Sequence, residues 1–228
     1  METLIYIAHP NLAGSNSQSF LIEAAQALDH VDWVSVNTLL EDWDRDRERQ
    51  RFLAADRIIF QFPLYWYQAP AALKAFIDAL LEVDSGYDDF VQAIARKELG
   101  LCLVVGVANH HYQLGGREGV TISTLLAPYQ ALANHLGMTY IQAFEIHQFM
   151  MLDAQDKEEL LVRYHHFLKT GGQGFRSYQS FLLDQLQEMD WNMDPSQILV
   201  LDHFLQSLED QADELSELME MTQGWEEI

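Results

Sequence analysis

Cysteine, basic residues and long apolar stretches are all scarce in this chain of 228 residues, and each scarcity removes a class of explanation. The single cysteine, Cys102, cannot close an intrachain disulfide. It lies in an apolar, strand-like run, where a thiol is an inert core group, and a reducing, cytoplasmic setting is expected. Lys and Arg total 13 against 35 Asp and Glu, a formal net charge of −22. Phosphate backbones and anionic surfaces are bound through clustered cations, so the balance argues against nucleic acid and anionic membranes as partners. The longest apolar run, Leu99 to Ala108, is about half of what a bilayer-spanning helix needs, so no integral membrane segment is expected. No basic stretch precedes the first apolar one, so no secretory leader is expected either. The chain has no GxGxxG fingerprint, no Gly-Lys-Ser/Thr loop ending, no HExxH, no CxxC and no GxSxG elbow. The adjacent pairs His110-His111 and His165-His166 cannot share a helix face, and no metal site is expected.

What is present is an alternation of strand and helix patterns. Hydrophobic residues make up 49% of the chain, enough to bury one sizeable core. Short apolar runs predict strands at 3–8, 32–37, 57–62, 99–106 and 139–145. Helical periodicity predicts helices near 17–29, 46–55, 70–82, 118–137 and 155–169. The alternating acids and arginines between Glu41 and Arg49 read as a solvated helix face. Strands alternating with helices imply right-handed crossovers and an α/β, doubly wound, five-stranded parallel sheet of order 2-1-3-4-5. Under that order the loops after strands 1, 3 and 4 meet at one edge, where such sheets bind their ligands.

Those three loops are the most distinctive segments of the sequence. The first, His9-Pro10-Asn11-Leu12-Ala13-Gly14-Ser15-Asn16-Ser17-Gln18-Ser19, runs into a helix start and offers hydroxyls, amides and a positive dipole end to a phosphate; an ordinary N-capped turn would read the same way. The second, Gln61 to Tyr67, sets three consecutive aromatics, Tyr65-Trp66-Tyr67, at the carboxyl end of a strand. A π-rich platform at that place favours a planar cofactor. The third runs from Gly106 through Val107, Ala108 and Tyr112 to Glu118.

Together these motifs make residues 1 to 170 resemble the flavodoxin-like NAD(P)H:quinone oxidoreductases, the group of DT-diaphorase, the modulators of drug activity, the ancillary quinone reductases of potassium-efflux systems and the general stress reductases. The resemblance implies a flavin, FMN with FAD as the alternative. His9, Ser15, Ser17 and Gln18 would hold the flavin phosphate, with Gln18 standing where Asn is commoner. Pro63, Leu64, Tyr65, Trp66 and Tyr67 would contact the isoalloxazine within a stacked, enclosed slot, and Gly106, Val107, Ala108 and Tyr112 would close over its pyrimidine side. Relatives often carry Thr-Thr-Gly-Gly or Thr-Val-Gly-Ala-Pro where this chain has Val104-Val105-Gly106-Val107-Ala108. The implied reaction is ping-pong hydride transfer from NAD(P)H to a quinone, nitro or azo compound, in a cytoplasmic homodimer. Tyr112 would be the catalytic proton donor. Glu118 takes the place of a relay histidine, or else caps the following helix. Anionic NAD(P)H approaches so acidic a protein slowly unless Arg117 or a cation of a second subunit makes a local positive patch. The rival implied by the same resemblance is a flavin-binding regulatory or ancillary subunit with little turnover.

The last residues depart from short members of that group. After Gly171-Gly172-Gln173-Gly174, apolar residues at Phe175, Tyr178, Leu182, Leu186 and Met189, and again from Ile198 to Met219, recur every three or four positions. A helical hairpin is expected, turning at Trp191 to Met193, with Asp194-Pro195-Ser196-Gln197 opening its second helix. The chain therefore reads as a flavodoxin-like domain over 1–170 and an acidic C-terminal helical extension over 171–228. The extension would serve either as an accessory hairpin or as a subunit-binding arm.

Overall fold

A computed structural model describes residues 1–172, 175–188, 203, 206 and 207. The chain divides into two compact units, Met1–Gly171 and Gly172–Ile228. In the first unit, β1 (Thr3–Ile7), β3 (Arg57–Pro63) and β4 (Glu98–Val105) are mainly apolar because both faces of the sheet are covered, Gln61 being the polar exception inside β3. Strand β2 (Val31–Ser35) lies outside β1, and the order β2-β1-β3-β4-β5 matches the expected winding, with all pairings parallel.

The period of two divides the core. Tyr6, Ile58, Phe60 and Phe62 face one side, against Phe52, Phe76, Phe90 and Leu126 of α3 (Arg45–Ala54), α4 (Ala71–Leu80), α5 (Tyr87–Ile94) and α6 (Ile122–His135). Ile5, Ile7 and Ile59 face the other, against α1 (Asn16–Gln26) and α7 (Ala154–Thr170), whose Leu21, Ala25, Tyr164 and Phe167 are fully buried.

Several boundaries differ from the sequence expectation. Helix α2 (Val36–Glu41) begins where a strand was expected to continue, because the Ser35 hydroxyl accepts the Thr38 N–H and caps a new helix. The expected strand 139–145 is two strands, β5 (Thr139–Tyr140) and β6 (Phe144–His147). Both pair with β4, Glu98 opposite Thr139 but Cys102 opposite Phe144, so one extra residue is accommodated between them in the manner of a bulge. Helix α6 starts at Ile122 because Gly119 takes φ +66° and Thr121 caps the helix. The Glu41 to Arg49 stretch is not uniformly solvated. Glu48 is fully buried beneath Arg47 and Arg51, and the buried Arg49 reaches the carbonyl oxygens of Leu80 and Glu82 and the Asp84 carboxylate.

Arg57 is the largest fully buried side chain of this unit. Its guanidinium donates to Glu98 Oε2 at 2.5 Å and to the carbonyl oxygens of Leu168 at 2.6 Å and Phe167 at 3.4 Å. It thereby supplies a cation to the C-terminus of α7, where unpaired carbonyls concentrate negative charge. Gly171 ends that helix at φ +66°, and a β-carbon there would lie 2.7 Å from an Arg57 nitrogen, so both conformation and space call for glycine.

In the second unit α8 (Phe175–Glu188) is the first helix of the expected hairpin. Among its described side chains Phe181 and Leu183 are the most buried, flanking Leu182 of the expected stripe. The expected turn and second helix lie outside the described residues.

Candidate active site

The loops after β1, β3 and β4 come together at the carboxyl edge of the sheet, on either side of the point where the winding reverses between β1 and β3. In the first loop Asn11 Oδ1 accepts the Gly14 N–H and closes a 3-10 turn, Leu12–Gly14. The Ser15 hydroxyl then caps α1 by accepting the Gln18 N–H at 3.3 Å, and lies 3.3 Å from the Ser17 hydroxyl. First-turn N–H groups of a helix have no intrahelical acceptor, so two hydroxyls and a dipole end converge on one spot. His9 is almost buried, and its Nδ1 accepts the Asn11 N–H at 3.1 Å, which leaves the ring proton on Nε2. Burial holds its pKa below the ordinary histidine value, so the ring stays neutral and offers a neutral donor.

Only one atom of the Gln18 side chain is left for its expected role. It is fully buried, and its Oε1 accepts from Gln61 Nε2 at 2.7 Å, while Gln61 Oε1 accepts the Tyr164 hydroxyl at 2.7 Å. The amide oxygen is thus committed inside the molecule, and Nε2 alone, buried with no hydrogen-bond partner among the described residues, is left as a donor. In the sequence Gln61 only opens the aromatic segment and has no role of its own. Its signal was a lone amide within the apolar run Ile58-Ile59-Phe60-Gln61-Phe62.

After β3, Leu64 N–H donates to the Val104 carbonyl, and Tyr65 and Gln68 exchange both backbone hydrogen bonds, at 2.9 and 3.0 Å. The two residues between them, Trp66 at φ +49° and Tyr67 at φ +66°, are both left-handed, the signature of a type I′ turn normally made by Asn and Gly. Two aromatics held there carry strain of about 1–2 kcal/mol each. Trp66 is 93% exposed, and Tyr65 and Tyr67 are half-exposed. The expected enclosed slot is therefore open in the single chain. Tyr65 tilts toward His9 with ring centroids 6.3 Å apart, which joins the first loop to the second.

The third loop is tied to the second by one side-chain bond. The Tyr67 hydroxyl donates to Glu118 Oε2 at 2.8 Å, and Arg117 grips the other carboxylate oxygen at 2.7 Å through Nε. Both bonds, Arg117's foremost, hold the Glu118 carboxyl below its ordinary range, so it is an ionised acceptor. It does not cap the following helix, which Thr121 caps. Arg117, considered above as a free positive patch, is spent on this pair. Tyr112 ends a short 3-10 turn and is 8% exposed; burial, then the charge of Glu118, raises its phenol pKa, so it keeps its proton at neutral pH. At the start of the third loop Gly106 is open, with nothing within 4 Å of where a β-carbon would stand. A flat ring can approach the backbone there. Cys102 lies in the core of β4, and burial raises its thiol pKa, in keeping with an inert group.

Known proteins resemble this chain over its first unit. Residues 1–168 match the family described as having a flavodoxin-like fold. An uncharacterised NAD(P)H oxidoreductase of Bacillus subtilis is 33% identical over 176 residues, 75% of this chain and 99% of the relative. A crystal structure of an NADPH-quinone reductase from P. pentosaceus is 37% identical, with a TM-score of 0.70 over 75% of this chain and all of that one. The general stress protein 14 of Treponema denticola, solved in complex with FMN, shares the fold at 24% identity and a TM-score of 0.67, over 74% of this chain and 98% of that one. By its sheet order and by the extent of these matches, this chain belongs to the flavodoxin-like family that includes NAD(P)H oxidoreductases.

Proposed function

We propose that this protein is an FMN-dependent NAD(P)H oxidoreductase, acting as a homodimer on a quinone or a related nitro or azo acceptor. The observation that carries the reading is the convergence, at one sheet edge, of a neutral phosphate cradle, an aromatic turn and a buried tyrosine donor. Support comes also from the names of its relatives, an NAD(P)H oxidoreductase and an NADPH-quinone reductase, and from the FMN held by a protein of the same fold.

The residues fit such a cofactor. The partnerless Nε2 of Gln18 is a buried donor on the first turn of α1, the same turn that carries the paired hydroxyls of Ser15 and Ser17. Buried donors without partners are costly unless a ligand satisfies them. With the neutral His9 they would hold the flavin phosphate without a cation, as a helix terminus allows. Pro63 to Tyr67 and Gly106 to Ala108 would flank the ring. The chemistry supplied by the bound flavin is two-electron hydride transfer from NAD(P)H to the acceptor.

The chain's own part is binding, orientation and proton supply. Tyr112 keeps its phenolic proton through the neutral range and would present it to an acceptor oxygen that gains negative charge. Glu118, ionised and bound to Arg117 and Tyr67, gives no proton; it holds the aromatic turn against the third loop. Trp66, exposed on its strained turn, would meet a second copy of the chain or a stacked substrate.

The test is direct. Protein purified and reconstituted with FMN should show a flavin spectrum that NADH or NADPH bleaches anaerobically and a quinone restores. A protein that takes up neither FMN nor FAD, or whose bound flavin no nicotinamide reduces, would refute the assignment.

A further inference from the structure

One histidine near the third loop has no assigned role. Glu145 and His147 stand two residues apart on β6 and so share a face of the strand. Strand β6 pairs with β4 through Val105, opposite His147, so the histidine stands beside the point where the third loop leaves the sheet, and the Gln148 N–H donates to the Val105 carbonyl at 2.8 Å. The His147 side chain is 16% exposed. Its Nδ1 lies 2.9 Å from the carbonyl oxygen of Val107, and its Nε2 lies 3.1 Å from Glu145 Oε2.

Both neighbours are acceptors. A carbonyl oxygen accepts, and a carboxylate accepts, while a neutral imidazole carries only one N–H. Satisfying both contacts therefore requires the doubly protonated ring, an imidazolium clamped between a loop carbonyl and a carboxylate. We infer that His147 is a positioning residue whose imidazolium ties the Val107 carbonyl to Glu145 and fixes the Gly106–Ala108 loop, so that the geometry of this loop depends on one proton.

The electrostatics agree with the geometry. Burial alone would lower the pKa of His147, but the bonds to Glu145 and to the Val107 carbonyl outweigh it and raise the value. A raised value in the folded state means that the tie is fully made below the ordinary histidine pKa and is lost as pH rises through the folded one. Among the described residues, the groups around it are Glu145 on its own strand and, beyond that carboxylate, Tyr140 of β5. The Tyr140 phenol is pushed up to about 12 by burial and by Glu145, so it stays neutral throughout. From the third loop the facing group is the uncharged Val107 carbonyl.

This inference rests on the flavin reading only where it concerns affinity. If the 106–108 loop flanks the ring, FMN binding should weaken as His147 loses its proton. Two substitutions separate the tie from the charge. His147→Ala removes the tie at every pH. Glu145→Gln replaces an acceptor by an amide that can donate to Nε2, so a neutral ring keeps its Nδ1–H on Val107 and the proton is no longer needed.

The experiment uses the full chain, followed by imidazole nitrogen NMR and by the backbone amides of Gly106 to Ala108, from about pH 6 to about pH 9, in parallel with FMN titrations by fluorescence. Because the phosphate of FMN also titrates, affinity is read as the ratio of each variant to the unsubstituted protein at the same pH. The loop amides should shift with the His147 ring. His147→Ala should bind FMN on the order of ten-fold more weakly at the acid end and converge with the unsubstituted protein at the alkaline end. Glu145→Gln should hold acid-end affinity throughout. A singly protonated ring at about pH 6, loop amides that ignore the ring's titration, or a His147→Ala ratio that does not vary with pH would each overturn the inference. If the amides follow the ring but no FMN binds at any pH, the brace stands and the flavin assignment falls.

Discussion

Replacing Arg57 by methionine, which keeps an apolar stem and deletes the guanidinium, tests how the last helix of the first unit is fastened. The substitution removes charge-assisted bonds to Glu98 at 2.5 Å and to the Leu168 carbonyl at 2.6 Å, and a longer one to Phe167 at 3.4 Å. The acceptors are not left bare. Leu168 O also accepts the Thr3 hydroxyl at 3.1 Å, Phe167 O also accepts the Gly171 N–H at 2.9 Å, and the Glu98 side chain is 25% exposed, so water can reach it. The full 3–5 kcal/mol of breaking a buried pair is therefore an upper bound. Two bonds to charged groups at roughly 1.5 kcal/mol each give about 3 kcal/mol, more than a hundred-fold in the folding equilibrium. That is a large share of the 5–15 kcal/mol typical of a domain. Denaturant unfolding should show a lower midpoint with an unchanged slope, and hydrogen exchange should speed first in the last two turns of α7. Adding Glu98→Gln to the Arg57 variant should cost less than the two single effects summed, since the partners are shared. A loss below about 1 kcal/mol, or exchange that speeds evenly over the unit, would refute the reasoning.

Three further outcomes are expected at the candidate site. Ser15→Ala with Ser17→Ala should lower FMN affinity roughly ten-fold to over a hundred-fold per lost bond while leaving the melting temperature near its original value; unchanged affinity by fluorescence titration would remove this loop from the phosphate site. Tyr112→Phe should retain flavin and slow the acceptor half-reaction by roughly ten-fold to a thousand-fold in stopped flow, whereas Glu118→Gln, which still accepts from Tyr67, should matter much less; the reverse ranking would transfer the donor role to Glu118. Trp66→Gly should relieve a left-handed backbone and raise stability by about 1 kcal/mol yet weaken flavin or acceptor binding, and a variant that gains stability with no functional loss would show the strain to be idle.

How much of this was legible in the sequence depends on the kind of signal each element left. β1, β3 and β4 are readable because strands covered on both faces are mainly apolar runs. The same rule concealed the break in the last strand, since nothing in Thr139-Tyr140-Ile141-Gln142-Ala143-Phe144 marks the extra residue. Helix α5 leaves no start signal in the sequence, because Gly86 stands at its N-cap and offers no side-chain cap. The three loops were found from their side-chain chemistry, but the direction in which side chains point was not. Position gives Gln18 a phosphate role, but not that its amide oxygen is committed to Gln61; it gives Glu118 a relay or capping role, but not that its carboxylate joins two loops. His147 left no motif at all, because its partners are a strand neighbour and a carbonyl 40 positions away.

The chain of bonds from Tyr164 through Gln61 to Gln18 has a sense of direction. A phenol that donates fixes which end of the first amide must receive, that amide fixes the second, and so the polarity presented on the opening turn of α1 is dictated from a helix more than a hundred residues later in the sequence. Sequence change at Tyr164 can therefore reverse a dipole on the opening turn of α1 without altering any residue there, a kind of inheritance by orientation that alignment of the loop alone would never reveal.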